Sequence, residues 1–329
     1  MKNKFFLLCA FYWISLSCDQ QLITDTPVVT SAITWQANGG RLGDDLLSYA
    51  RAKWLSYTYN IPLFYPPFPY SDQLILHEQE DIYTQDIPTS FITIKLLPLK
   101  TQNYTINKND NTLYVCRWKT IIYPNWSDMH FMQQLKAAIA PRQKLETISI
   151  PDNCISIAVH VRTGGNFAED NQMLKETHPL RFTPEKILIA QVKRLIKMFN
   201  NEKNIYLHIF TDHPQPQKLI KKFKNQLNNP RVTFGYREEN NDHDMNVLED
   251  FFSMMEFDCL VRPQSHFSLF AQRLGKSTIA IFPASVQKTD DGRSEIDVII
   301  IQTRKNEHEA WITQDIISAK RFQESSYEE

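Results

Sequence analysis

The chain has 329 residues, with 36 Lys or Arg against 37 Asp or Glu and a formal net charge of −1. Its 42% apolar and 22% charged residues suit a soluble globular protein with a sizeable core, long enough for two domains of roughly 100–200 residues each. The absence of a basic surplus argues against nucleic acid as the main partner, but not against a small anion such as a diphosphate, which a few placed cations and backbone N–H groups can hold.

Lys2 and Lys4 precede the apolar run Phe5 to Ile14, followed by Ser15-Leu16-Ser17-Cys18. This layout predicts that residues 1–18 are a signal peptide, or a lipoprotein signal with Cys18 as the lipidated residue, although Ser15 stands where a lipobox usually has Leu. The run is shorter than the ~20 residues needed to span a bilayer. Export or attachment to a membrane through this segment is therefore expected, and an apolar N-terminal strand of a cytoplasmic protein is the alternative. Beyond it, Cys116, Cys154 and Cys259 are too scattered for a disulfide framework or a zinc site and are expected to be buried small hydrophobes.

Residues 27–150 read as an N-terminal α/β domain. The β-branched run Pro27 to Trp35 predicts a strand, and Asn38-Gly39-Gly40-Arg41-Leu42-Gly43 a glycine-rich turn. A helix follows, with Leu46, Leu47, Ala50, Trp54 and Tyr57 on one face. The proline- and aromatic-rich stretch Pro62 to Tyr70 breaks regular structure and is expected to pack on the domain surface rather than stack on a sugar. Strands are expected over Ile92–Leu99 and Tyr114–Ile122, and a helix over Phe131–Ala140.

Residues 151–310 read as a second α/β domain, with 311–329 as a tail. Strands are predicted at Cys154–Val161, Ile205–Phe210, Arg231–Tyr236, Cys259–Val261 and Thr278–Phe282. Between them fall helices from Thr183-Pro184 (cap and first position) to Phe199, then Gln217–Leu227, Asn246–Phe257 and Ser265–Leu274. Such alternation builds a doubly wound sheet, whose ligands bind beyond the strand C-termini.

Residues suited to an anionic ligand stand at those strand ends. His160-Val161-Arg162-Thr163-Gly164-Gly165 places a permanent cation on a glycine-flanked turn, where it would bind phosphate, or pair with an acid if merely structural. Thr211-Asp212 follows the next strand, where Asp212 would orient a loop, bond a ligand hydroxyl or cap a turn. Asp250 lies in a first helical turn, where a carboxylate is favourable whatever its function. Ser265 and His266 open a helix whose N–H groups offer an anion site, and a hydroxyl there is either a phosphate ligand or a plain N-cap. His243 and the acidic stretch Glu238 to Asp244 read as a solvated loop rather than a metal site, and no DxD triplet stands at a strand end.

Four islands, GGRLGDDLLSYARA, HVRTGG, FTDHP and VLEDFFSMMEFDCLVRPQSHFSLFAQRLG, occur in this order over residues 39–283. Together they resemble the fucosyltransferase superfamily, which includes bacterial α-1,2-fucosyltransferases, α-1,6 enzymes of the nodulation type and protein O-fucosyltransferases. The resemblance implies a GT-B-like α/β fold, two Rossmann-like doubly wound domains facing across a cleft. It implies inverting transfer of L-fucose from GDP-fucose to a glycan or protein hydroxyl, with neither metal nor cofactor. By position, Arg162 would hold the donor β-phosphate, His160 and Asp250 would contact guanine and its ribose, and Ser265 and His266 would lie at the diphosphate. Thr211 and Asp212 would support the donor pocket together with Gly40, Arg41, Gly43 and Gly164. The chain departs from the family where a second Arg is Thr163, an acidic residue is Gly165 and an Asn-Gln pair is Asp44-Asp45. Asp44 or Asp45 is then expected to serve as the acceptor-side base. The alternatives are an exported, non-catalytic surface protein of the same fold and a transferase for another nucleotide sugar.

Overall fold

The computed structural model describes residues 30–37, 39–99, 104–120, 122–164, 177–199, 203–288, 294–305 and 311–323. The predicted signal at 1–18 and the departure at Gly165 lie outside them.

The first half is built on a small parallel sheet of β1 (Ala32–Trp35), β4 (Thr93–Leu96) and β5 (Thr112–Cys116), in the order β1-β5-β4. A two-stranded parallel ribbon, β2 (Phe64–Tyr65) with β3 (Asp81–Ile82), lies beside it. Helix α1 (Leu42–Tyr59) buries Leu46, Leu47 and Ala50, the face expected from their spacing, and half-buries Trp54 and Tyr57. Each fully buried leucine there contributes about 1.5–3 kcal/mol. The helix ends where Asn60 turns left-handed (φ 52) and its N–H bonds back to Ser56 O. A short helix α2 (Leu76–Gln79) and α3 (Met129–Ile139) complete this half, the latter capped by Asp128, whose carboxylate accepts from Phe131 N.

The second half holds a seven-stranded sheet. Its elements are β6 (Cys154–Val161), α4 (Glu185–Met198), β7 (Asn204–Thr211), α5 (Pro216–Leu227), β8 (Val232–Tyr236), α6 (Val247–Met254), β9 (Cys259–Val261), α7 (His266–Leu274) and β10 (Ile279–Lys288). The first expected helix begins at Glu185, with Pro184 rather than Thr183 in the capping position, and Thr183 Oγ1 bonds Leu180 O instead. Two strands follow that the sequence reading omitted, β11 (Ser294–Lys305) and β12 (Trp311–Gln323). Residues 311–323, read as a tail, thus pair antiparallel with β11, which pairs antiparallel with β10. The pairing satisfies backbone groups that an edge strand leaves open.

Strand order is β12-β11-β10-β9-β6-β7-β8. The chain runs outward from β6 to β7 and β8, then returns to place β9 on the other side of β6. The order therefore reverses between β6 and β9, and a crevice opens beyond their C-terminal ends. One hydrophobic cluster runs through both halves, joining Ile33, Leu46 and Tyr114 to Ala158, Phe210, Phe251 and Phe270. Of the three cysteines, Cys116 and Cys259 are buried as expected, but Cys154 is only half-buried and donates its thiol to Pro151 O.

Candidate functional site

Helix α1 meets α7 at the crevice. A Cβ built on Gly43 would overlap the backbone N of Phe267, so only glycine lets the two first turns touch. Arg41 and Ser265 hold the two N-cap positions, and neither side chain makes a capping hydrogen bond. Two helix N-termini, with their orphan N–H groups and positive dipole ends, therefore converge, the α1 end carrying Asp44 and Asp45 in its first turn.

The cleft they border has a volume of about 290 Å³. The β1–α1 turn contributes Gly40 and Arg41, and the first turn of α1 Gly43 and Asp44; His160 comes from β6 and Arg162 from just beyond it, Thr211 from β7 and Asp212 from just beyond it. Asp250 comes from α6, and Ser265, His266 and Phe267 from the start of α7. These expected site residues are brought together. Two are not: Asp45 and Gly164 line neither this cleft nor the cavity beside it. Asp45 is only 4% exposed within the first turn of α1, and burial, helped by the adjacent Asp44, pushes its carboxyl up to about 6. It is placed to be neither donor ligand nor base. Gly164 acts from behind, since its N–H donates to Asp212 Oδ2 at 3.0 Å.

Asp212 is the clamp of that turn. Its Oδ1 also accepts from Thr163 N at 2.6 Å and Thr163 Oγ1 at 2.9 Å. Three hydrogen bonds to one carboxylate fix the backbone next to Arg162, and Gly164 takes the left-handed φ of 95° that the turn requires. Arg162 lies over Phe182, 5.5 Å from the ring centroid, with its Nε buried and unpartnered among the described residues. Burial, and then the charge of Arg41, lower its pKa. An anion in the cleft would relieve both effects.

His160 packs against Phe267 with ring centroids 5.8 Å apart and leaves Nδ1 buried without a partner among the described residues. Burial pushes its pKa down to about 4, and Arg162, Arg262 and Arg41 add to the fall against Asp212, so the ring is neutral at pH 7. Asp250 is held by Arg237, Nε to Oδ1 3.0 Å and Nη2 to Oδ1 2.9 Å, while burial raises its carboxyl against that pull. Thr211 Oγ1 accepts from His213 N at 3.1 Å.

Asp44 and His266 form a pair across the two halves, Nδ1 to Oδ1 2.6 Å. Burial works to raise the Asp44 carboxyl, but the hydrogen bond and charge of His266, with Arg181 and Arg162 beyond, carry it below the ordinary value. An ionised Asp44 can only accept, so Nδ1 of His266 donates in this bond and Nε2 is the ring nitrogen outside it.

Sequence reasoning missed the outer wall of the cleft. Pro69 and Tyr70 of the proline-rich stretch line it, and Tyr70 Oη donates to Asp244 O at 2.9 Å, tying that stretch to the loop 241–245. The rest of the stretch does pack inward at Tyr65 and Phe68. The acidic loop read as solvated thus closes one side of the cleft. Its signal in the sequence was the aromatic density of Pro62 to Tyr70, which a folded surface seldom spends on packing alone.

No protein-family model and no curated protein matches the chain. Among solved structures, an arginine-to-lysine variant of Arabidopsis thaliana FUT1 in complex with GDP is similar over 82% of this chain and 74% of its own, with TM-score 0.53 and 12% identity. The chain has a fucosyltransferase-like fold of the GT-B type. Fucosyltransferase NodZ from Bradyrhizobium is also similar, with TM-score 0.46 and 13% identity over 78% of this chain and 94% of that one. The architecture shared with the FUT1 variant is α/β, with a parallel sheet in the first half and a mainly parallel seven-stranded sheet in the second.

Proposed function

We propose that the protein is an inverting glycosyltransferase that moves L-fucose from GDP-fucose to a hydroxyl of a glycan or protein. The observation that carries this reading is the convergence of two uncapped helix N-termini with Arg41 and Arg162 on one cleft, beside the Asp44–His266 pair. The FUT1 variant of the same fold was solved with GDP, which favours a guanine nucleotide here.

In this reading the diphosphate lies at the start of α1 and α7, bonded by their N–H groups, by Ser265 and by the guanidinium of Arg162. His160 and Asp250 face the nucleoside. As the bond from the sugar C1 to the β-phosphate oxygen breaks, its electron pair stays on the phosphate, where the cations stabilise the growing charge. The acceptor oxygen bonds C1 from the opposite face, and its proton passes to His266 Nε2. Asp44 acts through His266, orienting the ring and stabilising the imidazolium that forms, rather than taking the proton itself.

The test is the thermal unfolding of the full chain with GDP and with UDP. GDP is expected to raise the Tm by several degrees and UDP much less, because a ligand bound only by the folded state adds to its stability. Equal shifts with both nucleotides would remove the guanine assignment, and no shift with either would remove the donor site.

A further inference from the structure

A second cavity, of about 440 Å³, adjoins the first and shares Asp44, Arg162, Ser265 and His266 with it. The proposed reacting groups thus form a partition, with the donor cleft on one side. The other side is lined by the guanidinium groups of Arg181, Arg262 and Arg273, by the amides of Gln264 and Gln272, and by the apolar Leu269 and Phe282, with Gln264 Nε2 already donating to Ala284 O at 3.0 Å. No carboxylate stands within ion-pair distance of Arg162, Arg181 or Arg262 among the described residues. Among the described residues of the lining Asp44 is the one acid, and it is engaged by His266.

Arg262 is the most telling of these residues. It follows β9 directly and is only 5% exposed. Its Nε donates to Gln272 Oε1 at 2.8 Å and its Nη1 to Pro263 O at 3.2 Å, while its face lies 4.3 Å from the Phe282 ring centroid. These contacts hold the side chain in one orientation and leave Nη2 with no partner among the described residues. None of them neutralises the charge, and a buried cation without a counter-ion is costly. Gln272 is 1% exposed, and its Nε2 is also a buried donor with no acceptor among the described residues. Burial, then the charge of Arg273, brings Arg262 down to about 9, as expected for a guanidinium waiting for an anion. A donor-rich, acceptor-poor chamber with a desolvated arginine at its floor is built to receive negative charge.

We infer that this second cavity is the acceptor subsite and that the acceptor is anionic, a sugar carrying a carboxylate or a phosphate that Arg262 and Arg181 bind. The inference rests on the donor assignment above only in placing the reaction at the partition. An anionic group held there would fix the acceptor ring, so that its hydroxyl is presented to His266 Nε2 across the partition.

The test uses the full chain saturated with GDP, at constant ionic strength, titrated with glucuronate, glucose 6-phosphate and glucose while Tm is followed. The subsite predicts that one or both anions raise Tm by a few degrees beyond GDP alone and that glucose does not. A response to glucuronate alone assigns a carboxylate acceptor, and a response to glucose 6-phosphate alone a phosphorylated one. Arg262→Gln and the exposed Arg181→Gln should each lose the response while keeping the GDP shift. Arg181→Gln carries the test if Arg262→Gln fails to fold. Equal responses in parent and variants, or no anion response with GDP bound, overturn the subsite. An anion response seen only without GDP also overturns it, since these arginines would then serve the donor phosphates. If GDP gives no shift but the anions do, the donor reading fails and the subsite stands.

Discussion

Arg162 carries more of the proposed chemistry than any other side chain, and its surroundings say what its loss should do. Among the described residues its Nε has no partner and no carboxylate pairs with it, so removing it breaks little of the described fold. Arg162→Ala should therefore keep a near-parental Tm while losing about 100- to 1000-fold in transfer rate, the usual cost of one preorganised donor to a developing charge. Arg162→Lys keeps the charge but not the fork and should recover little of it. Parental GDP affinity and rate in both variants would place the diphosphate elsewhere. Asp45 makes the opposite case. Its carboxyl is raised from 3.8 to about 6 in the folded protein, so between those values the native state holds a proton that the unfolded chain has released. Stability from this residue is then fullest below pH 4, falls as pH rises to about 6, and stays low above it. Asp45→Asn should flatten that fall and stabilise the protein at pH 7 by on the order of 1–3 kcal/mol, measured by urea unfolding across pH 4–8. A steeper fall in the variant would contradict the burial argument. The sequence could not separate Asp44 from Asp45, because neighbours on a helix point about 100° apart and only the packing of α1 decides which one faces the cleft. Arg162, Thr211 and Asp212 were legible because strand ends in a doubly wound sheet border its crevice. Arg262 was not, since an arginine beside a buried strand reads as an ordinary strand end until its missing counter-ion is seen.

At the scale of elements, the contact between α1 and α7 fixes how the first turns face the ligand. Gly43→Ala would drive a methyl group into the backbone of His266 and Phe267, which cannot move as a side-chain tip can. The helices must part, at a cost of about 1–3 kcal/mol or more, and GDP affinity should fall with stability. Calorimetric titration of the folded variant with GDP checks this, and unchanged affinity would show that the two helix starts do not act as one site. The strands and helices from Cys154 to Leu274 were legible nearly to their ends, because short apolar strands alternate with amphipathic helices there. The antiparallel β11 and β12 were not. Val298 to Ile301 is an apolar run of strand length, but with no helix behind it the alternation that guided the reading had stopped. The small first sheet was half-legible, since its exposed strand β4 lacks a clean two-residue alternation of burial.

Across the whole molecule, one apolar cluster runs through both halves, so neither should melt by itself. Trp35, Trp54, Trp118 and Trp126 lie in the first half and Trp311 in the second, so a Trp311→Phe variant weights fluorescence toward the first half, whereas far-UV circular dichroism reports both. Urea unfolding followed by tryptophan fluorescence and by circular dichroism should give coincident transitions. Two separated midpoints would mean that the shared cluster does not couple the halves. The pair that joins Asp44 to His266 bridges 222 positions of sequence. A gene cut between Pro141 and Pro151 would accordingly encode two polypeptides that are each inert, and cells carrying both should regain whatever the uncut gene supplies only if the fragments find one another.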